Sequence, residues 1–310
     1  MNQIRKIVIT GPTGALGMAL INECIRHQTE VLAVCRRASK RRNRIPQSRF
    51  VRILELDLEE YGSYEPDNEN KDYDVFYHFA WSGTMGAARN NLELQHQNIG
   101  YAVDAVHLAH RLGCHAFIGA GSQAEYGRVE GKLSAETPVF PENGYGMAKL
   151  CAGQMTKVAC RQLGMRHIWT RILSIYGPYD GEKTMIISTI RKLLAGEKAG
   201  FTKGEQQWDY LYCEDAARAM RLLGERGKDG AVYCLGSGKA YPLSEYILML
   251  KDAVDSRLEL TFGEIPYGDK QVMYLCADIG QLQADTGFKP EVDFRTGISR
   301  TVEWVKDNKS

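Results

Sequence analysis

Lys6-Ile-Val-Ile-Thr-Gly11-Pro-Thr-Gly14-Ala-Leu-Gly17 decides the fold. Ile7, Val8 and Ile9 follow one another without polar alternation, the pattern of a strand covered on both faces. Three glycines at every third position come next, and then a helical pattern through about His27. Glycine has three uses in such a turn: it permits the tight bend, lets the backbone approach a pyrophosphate, and lets the helix pack close to the strand. A phosphate held by Gly11, Thr13, Gly14, Ala15, Leu16 and Gly17 would rest on amide groups and on the positive end of the helix dipole. The Gly-x-x-Gly-x-x-Gly spacing differs by one residue from the commoner Gly-x-Gly-x-x-Gly fingerprint, so its strand–turn–helix setting carries the reading.

The same rhythm continues downstream. Glu30–Cys35, Val51–Leu58, Asp74–Ala80, Ala116–Gly121 and His167–Leu173 read as strands, and Asn91–Leu112 and Tyr145–Leu163 as helices. Apolar strands alternating with helices predict a parallel sheet covered on both sides, an α/β doubly wound fold of the Rossmann type. Beyond Tyr176 the rhythm loosens, with helices near Thr184–Ala195, Glu214–Leu223 and Ser244–Ala253 and short strands near Tyr210–Cys213, Ala231–Leu235 and Leu258–Phe262. The division this predicts is a dinucleotide-binding domain over residues 1–176 and a smaller, mainly substrate-binding lobe over 177–310, interleaved with the end of the sheet.

A chain of 310 residues with 44% hydrophobic content can bury a core of that size. Its formal net charge of +1 offers no electrostatic footprint for a nucleic acid or a membrane. No apolar run approaches the roughly 18 residues of a membrane span, and the first strand begins too near Met1 for a signal peptide. Eight cysteines without a Cys-x-x-Cys pair read as the reduced thiols of a cytoplasmic protein. His107 and His110 share a helix face, but no cysteine or carboxylate pattern completes a metal tetrahedron around them.

The second strand ends Val34-Cys35-Arg36-Arg37. An acidic residue there would hold the adenosine 2′-hydroxyl of NAD(H), whereas arginine accommodates the 2′-phosphate of NADP(H). Arg36 and Arg37 favour NADP(H) and leave NAD(H) possible; the alternative is that the basic run Arg36 to Arg49 is a solvated loop. Asp57 and Leu58 close the third strand, where the Asp57 carboxylate either meets the adenine amino group or caps the next segment. Phe79, Ala80 and Trp81 close the fourth, whose end borders the cofactor.

Tyr145-Gly-Met-Ala-Lys149 sets a tyrosine and a lysine one helical turn apart on one face. A phenol that titrates near ~10 is poorly matched to neutral pH, and a nearby lysine ammonium, together with a positive nicotinamide when oxidised, is expected to lower it. Ser122, at the end of a strand, is placed to hydrogen-bond the substrate oxygen that gains or loses the proton.

With these residues in view, the chain resembles the extended short-chain dehydrogenase/reductase family of NAD(P)-dependent nucleotide-sugar epimerases, dehydratases and 4-ketoreductases. The resemblance runs over nearly the whole length. It is carried by Gly11 to Gly17, Ser122-Gln-Ala-Glu-Tyr126-Gly127, the Tyr145/Lys149 pair, Arg171-Ile-Leu-Ser-Ile-Tyr176-Gly-Pro178 and Trp208-Asp-Tyr-Leu-Tyr-Cys-Glu-Asp215. It implies that Ser122, Tyr145 and Lys149 form a catalytic triad, with Lys149 also holding the nicotinamide ribose. It further implies cofactor contacts at Asn98, Ile172, Ser174 and Ile175, and substrate contacts at Thr84 to Arg89, Gln123, Ser174, Met185 and Trp208. A homodimer through the helices Asn91–Leu112 and Tyr145–Leu163 is implied as well.

One departure narrows the activity. Sugar 4,6-dehydratases of this family carry Asp-Glu after the catalytic hydroxyl residue, and here Gln123 and Ala124 stand there. Neither side chain transfers a proton usefully near neutral pH. The expectation is therefore an NADPH-dependent reductase of a 4-keto nucleotide-sugar, similar to CDP-abequose synthase-like reductases. The alternatives are an NAD-dependent 4-epimerase and a non-catalytic NADPH-binding sensor or assembly protein.

Overall fold

Ile7 and Ile9 pack into one apolar layer and Val8 into the other, the alternation that a strand buried on both faces requires. The computed structural model describes residues 4–67, 71–269 and 271–308. Its strands are β1 (Lys6–Thr10), β2 (Glu30–Cys35), β3 (Val51–Glu55), β4 (Val75–His78), β5 (Ala116–Ser122), β6 (Arg166–Ile172), β7 (Ser174–Tyr176), β8 (Gln207–Trp208), β9 (Tyr210–Tyr212), β10 (Ala231–Leu235) and β11 (Tyr241–Pro242). Seven of them form one parallel sheet in the order β10-β6-β5-β4-β1-β2-β3.

Helices α1 (Ala15–Arg26), α2 (Leu92–Arg111), α3 (Gly144–Gln162), α4 (Met185–Leu194), α5 (Cys213–Arg226), α6 (Leu243–Asp255), α7 (Gly280–Thr286) and α8 (Phe294–Asp307) complete the chain. On one face α1 and α5 bury Leu20, Ala216 and Met220 with Ile7 and Ile9. On the other α2 and α3 bury Leu108 and Cys160 with Val8 and Phe76. Two covered faces make the sheet doubly wound, as its unbroken apolar strands predict.

From β1 the chain passes to β2 on one side and to β4 on the other, which opens a crevice at the carboxyl ends of β1 and β4. Later segments then return to the sheet. β10 adds to its edge beside β6, and α5 lies on α1, where the Arg221 Nε–Glu23 Oε1 pair closes at 2.9 Å. β7 pairs with β9, β8 pairs with β11, and α4, α6 and α8 pack on one another. No helix among the described residues is long and apolar enough to cross a membrane.

Several segments differ from the sequence reading: β3 ends at Glu55 rather than Leu58, which opens a short helical turn. Leu258–Phe262 is irregular chain, although Leu258, Leu260 and Phe262 do pack on the core. Period-two burial needs only a wall to lie against, whereas a strand also needs a ladder partner. The C-terminal helices α7 and α8 were not anticipated. Their signals are local, a glycine with positive φ (76°) at the end of α7 and the Asp293 carboxylate capping Thr296 N–H at 2.7 Å in α8.

Between β5 and α3 the Trp169 ring fills a slot where Gly119, Gly121 and Gly153 each leave the room of a missing Cβ. A methyl group at Gly119 would overlap the indole, so Gly119→Ala should destabilise the fold by about 1–3 kcal/mol. A urea midpoint equal to that of the unsubstituted chain would show the slot to be slack.

Candidate active site

The crevice is held open and shaped by main chain. The Thr10 hydroxyl oxygen accepts the N–H groups of Phe79 and Ala80, each at 3.2 Å, which ties the end of β1 to the end of β4. Gly11 has φ +67°, and a Cβ there would strike the Phe79–Ala80 backbone. A Cβ at Gly17 would strike Gly11 and Pro12. Gly14 caps α1 with no side-chain hydrogen bond and has open space where a Cβ would stand. Helices α2, α3 and α8 have Asn91, Asn143 and Asp293 on their first-turn amides, whereas α1, like α4 to α7, has no side-chain cap. Such an end suits a phosphate, and Ala15 and Leu16 behind it pack on the core.

A cavity of about 230 Å³ lies beside this turn. Its lining includes Gly11 and Thr13, Phe79, Ala80 and Trp81, and Leu56 and Leu58. Arg36, Ser39 and Arg41 line the side where β2 ends. Arg37 departs from expectation, because its guanidinium pairs with Glu60 at 2.7 Å. Arg41 stands on the wall instead, and Arg44 donates to the Thr13 carbonyl at 3.4 Å, so the basic run follows the glycine turn. Asp57 acts as a cap: it accepts the Arg37 N–H at 3.1 Å and forms a reciprocal capping box with Glu60. Asn98 spends its amide on the chain beside the cavity, accepting Ser82 N–H at 3.0 Å and donating to Ser82 C=O at 2.9 Å. These two bonds shape the loop after Trp81.

Ser122, Tyr145 and Lys149 come together at the end of β5. All three are buried. The contact is made possible by Gly146, whose missing Cβ lets α3 close on the Ala124 carbonyl and so brings Tyr145 to Ser122. Burial raises the Tyr145 phenol above its usual value; the Ser122 hydrogen bond and the Arg89 charge pull it down by less, and Glu125 adds to the rise. The expectation that Lys149 would depress it is corrected here. Burial pushes Lys149 itself down to about 7, offset in part by the charge of Glu125. Its ammonium donates to Ala120 C=O at 2.6 Å and sits 3.8 Å from the centre of the Trp81 ring. Arg89 lies 4.4 Å from the centre of the Tyr145 ring and donates to Thr84 C=O at 3.3 Å.

The remaining expected residues lie at the end of β6 or in segments that follow β5 and β6. Ile172 closes β6, and Ser174 and Ile175 open β7, where the Ser174 hydroxyl accepts the Trp208 indole N–H at 2.9 Å. Met185 begins α4, and Gln123 begins a short helical turn after Ser122 with Ala124 buried behind it. Three contributors escaped the sequence reading. Ser39 and Arg41 lie in a loop with no periodicity, and Glu125 is a carboxylate in a segment whose neighbours suggested nothing about burial.

A family model described as the NAD dependent epimerase/dehydratase family matches residues 7–236. A putative UDP-glucose 4-epimerase of Methanocaldococcus jannaschii is 26% identical over 97% of this chain and 99% of its own. The structure of a UDP-N-acetylglucosamine 4-epimerase from Methanobrevibacter ruminantium superposes with a TM-score of 0.87, at 22% identity and 99% coverage of both chains. A dTDP-glucose 4,6-dehydratase from Streptomyces venezuelae, solved with NAD bound, gives 0.86 at 20% identity and 98% coverage of both.

The state of Lys149 has a measurable consequence. Its pKa falls from 10.5 to about 7 on folding, so the unfolded chain binds the extra proton between those values. The destabilisation is complete below pH 7 and fades as pH rises towards 10.5. Lys149→Met should therefore raise the thermal midpoint of the cofactor-free protein near neutrality, by a margin that shrinks towards alkaline pH. A margin that does not change with pH would contradict the shifted lysine.

Proposed function

This chain belongs to the NAD dependent epimerase/dehydratase family, and we propose that within it the chain is an NADPH-dependent reductase of a 4-keto nucleotide-sugar, with residues 177–310 forming most of the substrate lobe. The observation that carries the cofactor choice is the cavity side made by Arg36, Ser39 and Arg41, three residues suited to a 2′-phosphate, with no carboxylate among its lining. The glycine cradle and the free amide end of α1 fit the pyrophosphate of either nicotinamide dinucleotide.

Reduced nicotinamide, when bound, supplies the hydride for the ketone carbon. The chain supplies the proton. Ser122 orients the carbonyl oxygen, and the Tyr145 hydroxyl gives its proton to that oxygen as the alcohol forms. A phenol held above its usual pKa stays protonated near neutrality, the form that ketone reduction needs at the outset. Lys149, near 7, can stand as an ammonium beside the phenolate left behind. Gln123 and Ala124 offer no acid and base for loss of water, which supports reduction over dehydration.

A second reading, an NAD-dependent nucleotide-sugar 4-epimerase, is favoured by the full-length match to the Methanocaldococcus jannaschii protein. The two separate on cofactor balance. A reductase consumes one NADPH per 4-keto-6-deoxy nucleotide-sugar; an epimerase interconverts UDP-glucose and UDP-galactose with no net change in absorbance at the nicotinamide band. Tyr145→Phe should lower turnover about 10²- to 10⁴-fold and leave cofactor affinity intact, because it removes only the transferable proton. Near-normal turnover in that variant would remove Tyr145 from the chemistry.

Calorimetric titration tests the cofactor. Replacing Arg36 and Arg41 by alanine should weaken NADPH about tenfold to hundredfold and leave NADH nearly unchanged. Equal binding of both cofactors by the unsubstituted protein would favour the epimerase.

A homodimer through α2 and α3 is part of the same proposal. Leu92 on α2 and Met147, Cys151, Met155 and Val158 on α3 are exposed, and the last four recur at helical spacing along one face. All eight cysteines are free thiols, seven of them buried, in keeping with a reducing, cytoplasmic setting. Sedimentation at micromolar concentration should give twice the chain mass, and Met155→Glu should give a folded monomer. A monomeric unsubstituted chain would overturn the dimer.

A further inference from the structure

We propose that Glu125 is the positioning residue of this site: its carboxylate, clamped by Arg171 and Trp169, holds the main chain of Ser122 and thereby fixes the Ser122 hydroxyl beside Tyr145. The inference rests on the reading of Ser122 and Tyr145 as the reacting pair.

Glu125 is fully buried. Its Oε1 accepts Ser122 N–H at 2.8 Å and Trp169 Nε1–H at 3.0 Å, and its Oε2 accepts Arg171 Nε–H at 2.9 Å. The Ser122 hydroxyl oxygen in turn accepts Ala124 N–H at 3.2 Å, so two reciprocal bonds define the turn on which that hydroxyl stands. The same turn abuts α3 through Ala124 and Gly146. A shift of the Ser122 main chain therefore changes its hydroxyl's place relative to Tyr145.

A buried ion pair is a poor device for stability alone, since apolar residues of similar volume serve as well or better. Yet three glycines are given up to admit Trp169, whose indole N–H points at this carboxylate. A strand glycine weakens its strand, and two of the three lie in β5. What the construction secures is orientation. Glu125 has a second, electrostatic reach, because its charge supports the Lys149 ammonium against desolvation.

The test is a set of three variants. Glu125→Met with Arg171→Met removes both charges at similar volume. Glu125→Gln with Arg171→Met gives back an acceptor for the Ser122 amide. Glu125→Asp keeps the charge for Arg171 but withdraws the carboxylate from Ser122, and serves if the first variant fails to fold. Displacement of a reacting group by about 1 Å costs on the order of a hundredfold. The Met/Met and Asp variants should therefore lose about tenfold to a hundredfold in kcat, with KM and NADPH affinity nearly unchanged. The Gln/Met variant should recover most of the loss. Unchanged kcat in a folded Met/Met or Asp variant, or a loss confined to KM, would overturn the proposal.

If the unsubstituted chain turns over no nucleotide-sugar, the functional reading fails, and crystal structures of the variants still decide this one. The Ser122 hydroxyl displaced in Met/Met and restored in Gln/Met supports it; the hydroxyl unmoved in both refutes it.

Discussion

The site depends on how closely the first turn of α3 approaches the end of β5. Gly146 allows that approach, because any Cβ there would meet the Ala124 carbonyl. The helix is fixed in the same place from two other directions. Asn143 caps Gly146 N–H at 2.9 Å, and Asn90 accepts Gly144 N–H at 3.0 Å. Tyr145 is thus carried by a helix start whose position is set by one close main-chain approach and two asparagine side chains, and Lys149 follows one turn later.

Close packing has an electrostatic cost that shapes the chemistry. With Tyr145, Lys149 and His78 withdrawn from water, each moves toward its neutral form: the phenol rises, the lysine falls to about 7, and the imidazole falls to about 3. A neutral His78 can share a hydrogen bond with the Thr10 hydroxyl at 3.0 Å without placing a positive charge behind the crevice. Lys149 is the one member of the trio poised to change charge near neutrality. Its ammonium rests on the Ala120 carbonyl and over the Trp81 ring, and the charge of Glu125 offsets part of the burial.

Legibility in the sequence followed the physical origin of each feature. Lys6–Thr10, Glu30–Cys35 and Ala231–Leu235 each carry a continuous apolar run that ends at a turn, and their bounds could be read from that pattern. The trio was legible because one turn of helix and one strand end dictate where Tyr145, Lys149 and Ser122 must stand. Leu258–Phe262 shows the limit, since alternation reports a wall and not a hydrogen-bonded neighbour. Arg37 shows another. Adjacent arginines at a strand end point to opposite sides, and only the place of Glu60, supplied by a different segment, decides which one turns away. The raised phenol of Tyr145 was illegible for a similar reason, because burial is a property of the assembled site.

The two ends of the site are made of different material. At the cofactor end the shape comes from main chain, namely the Gly11 bend, the α1 amides and the Thr10 link to Phe79 and Ala80, and such features leave glycine signatures. At the end proposed for substrate it comes from side chains of segments far apart, such as Trp208 on Ser174 and Arg89 over Tyr145. The short ladder between β7 and β9 joins the ends: Ser174 lies opposite Tyr210 one residue beyond Leu173, where β6 has just ended. Leu173 alone separates β7 from the end of β6, whose Arg171 and Ile172 lie opposite Gly121 and Ser122. The residues of the second half proposed to meet substrate and the Ser122 hydroxyl in the first are thus connected by backbone pairing.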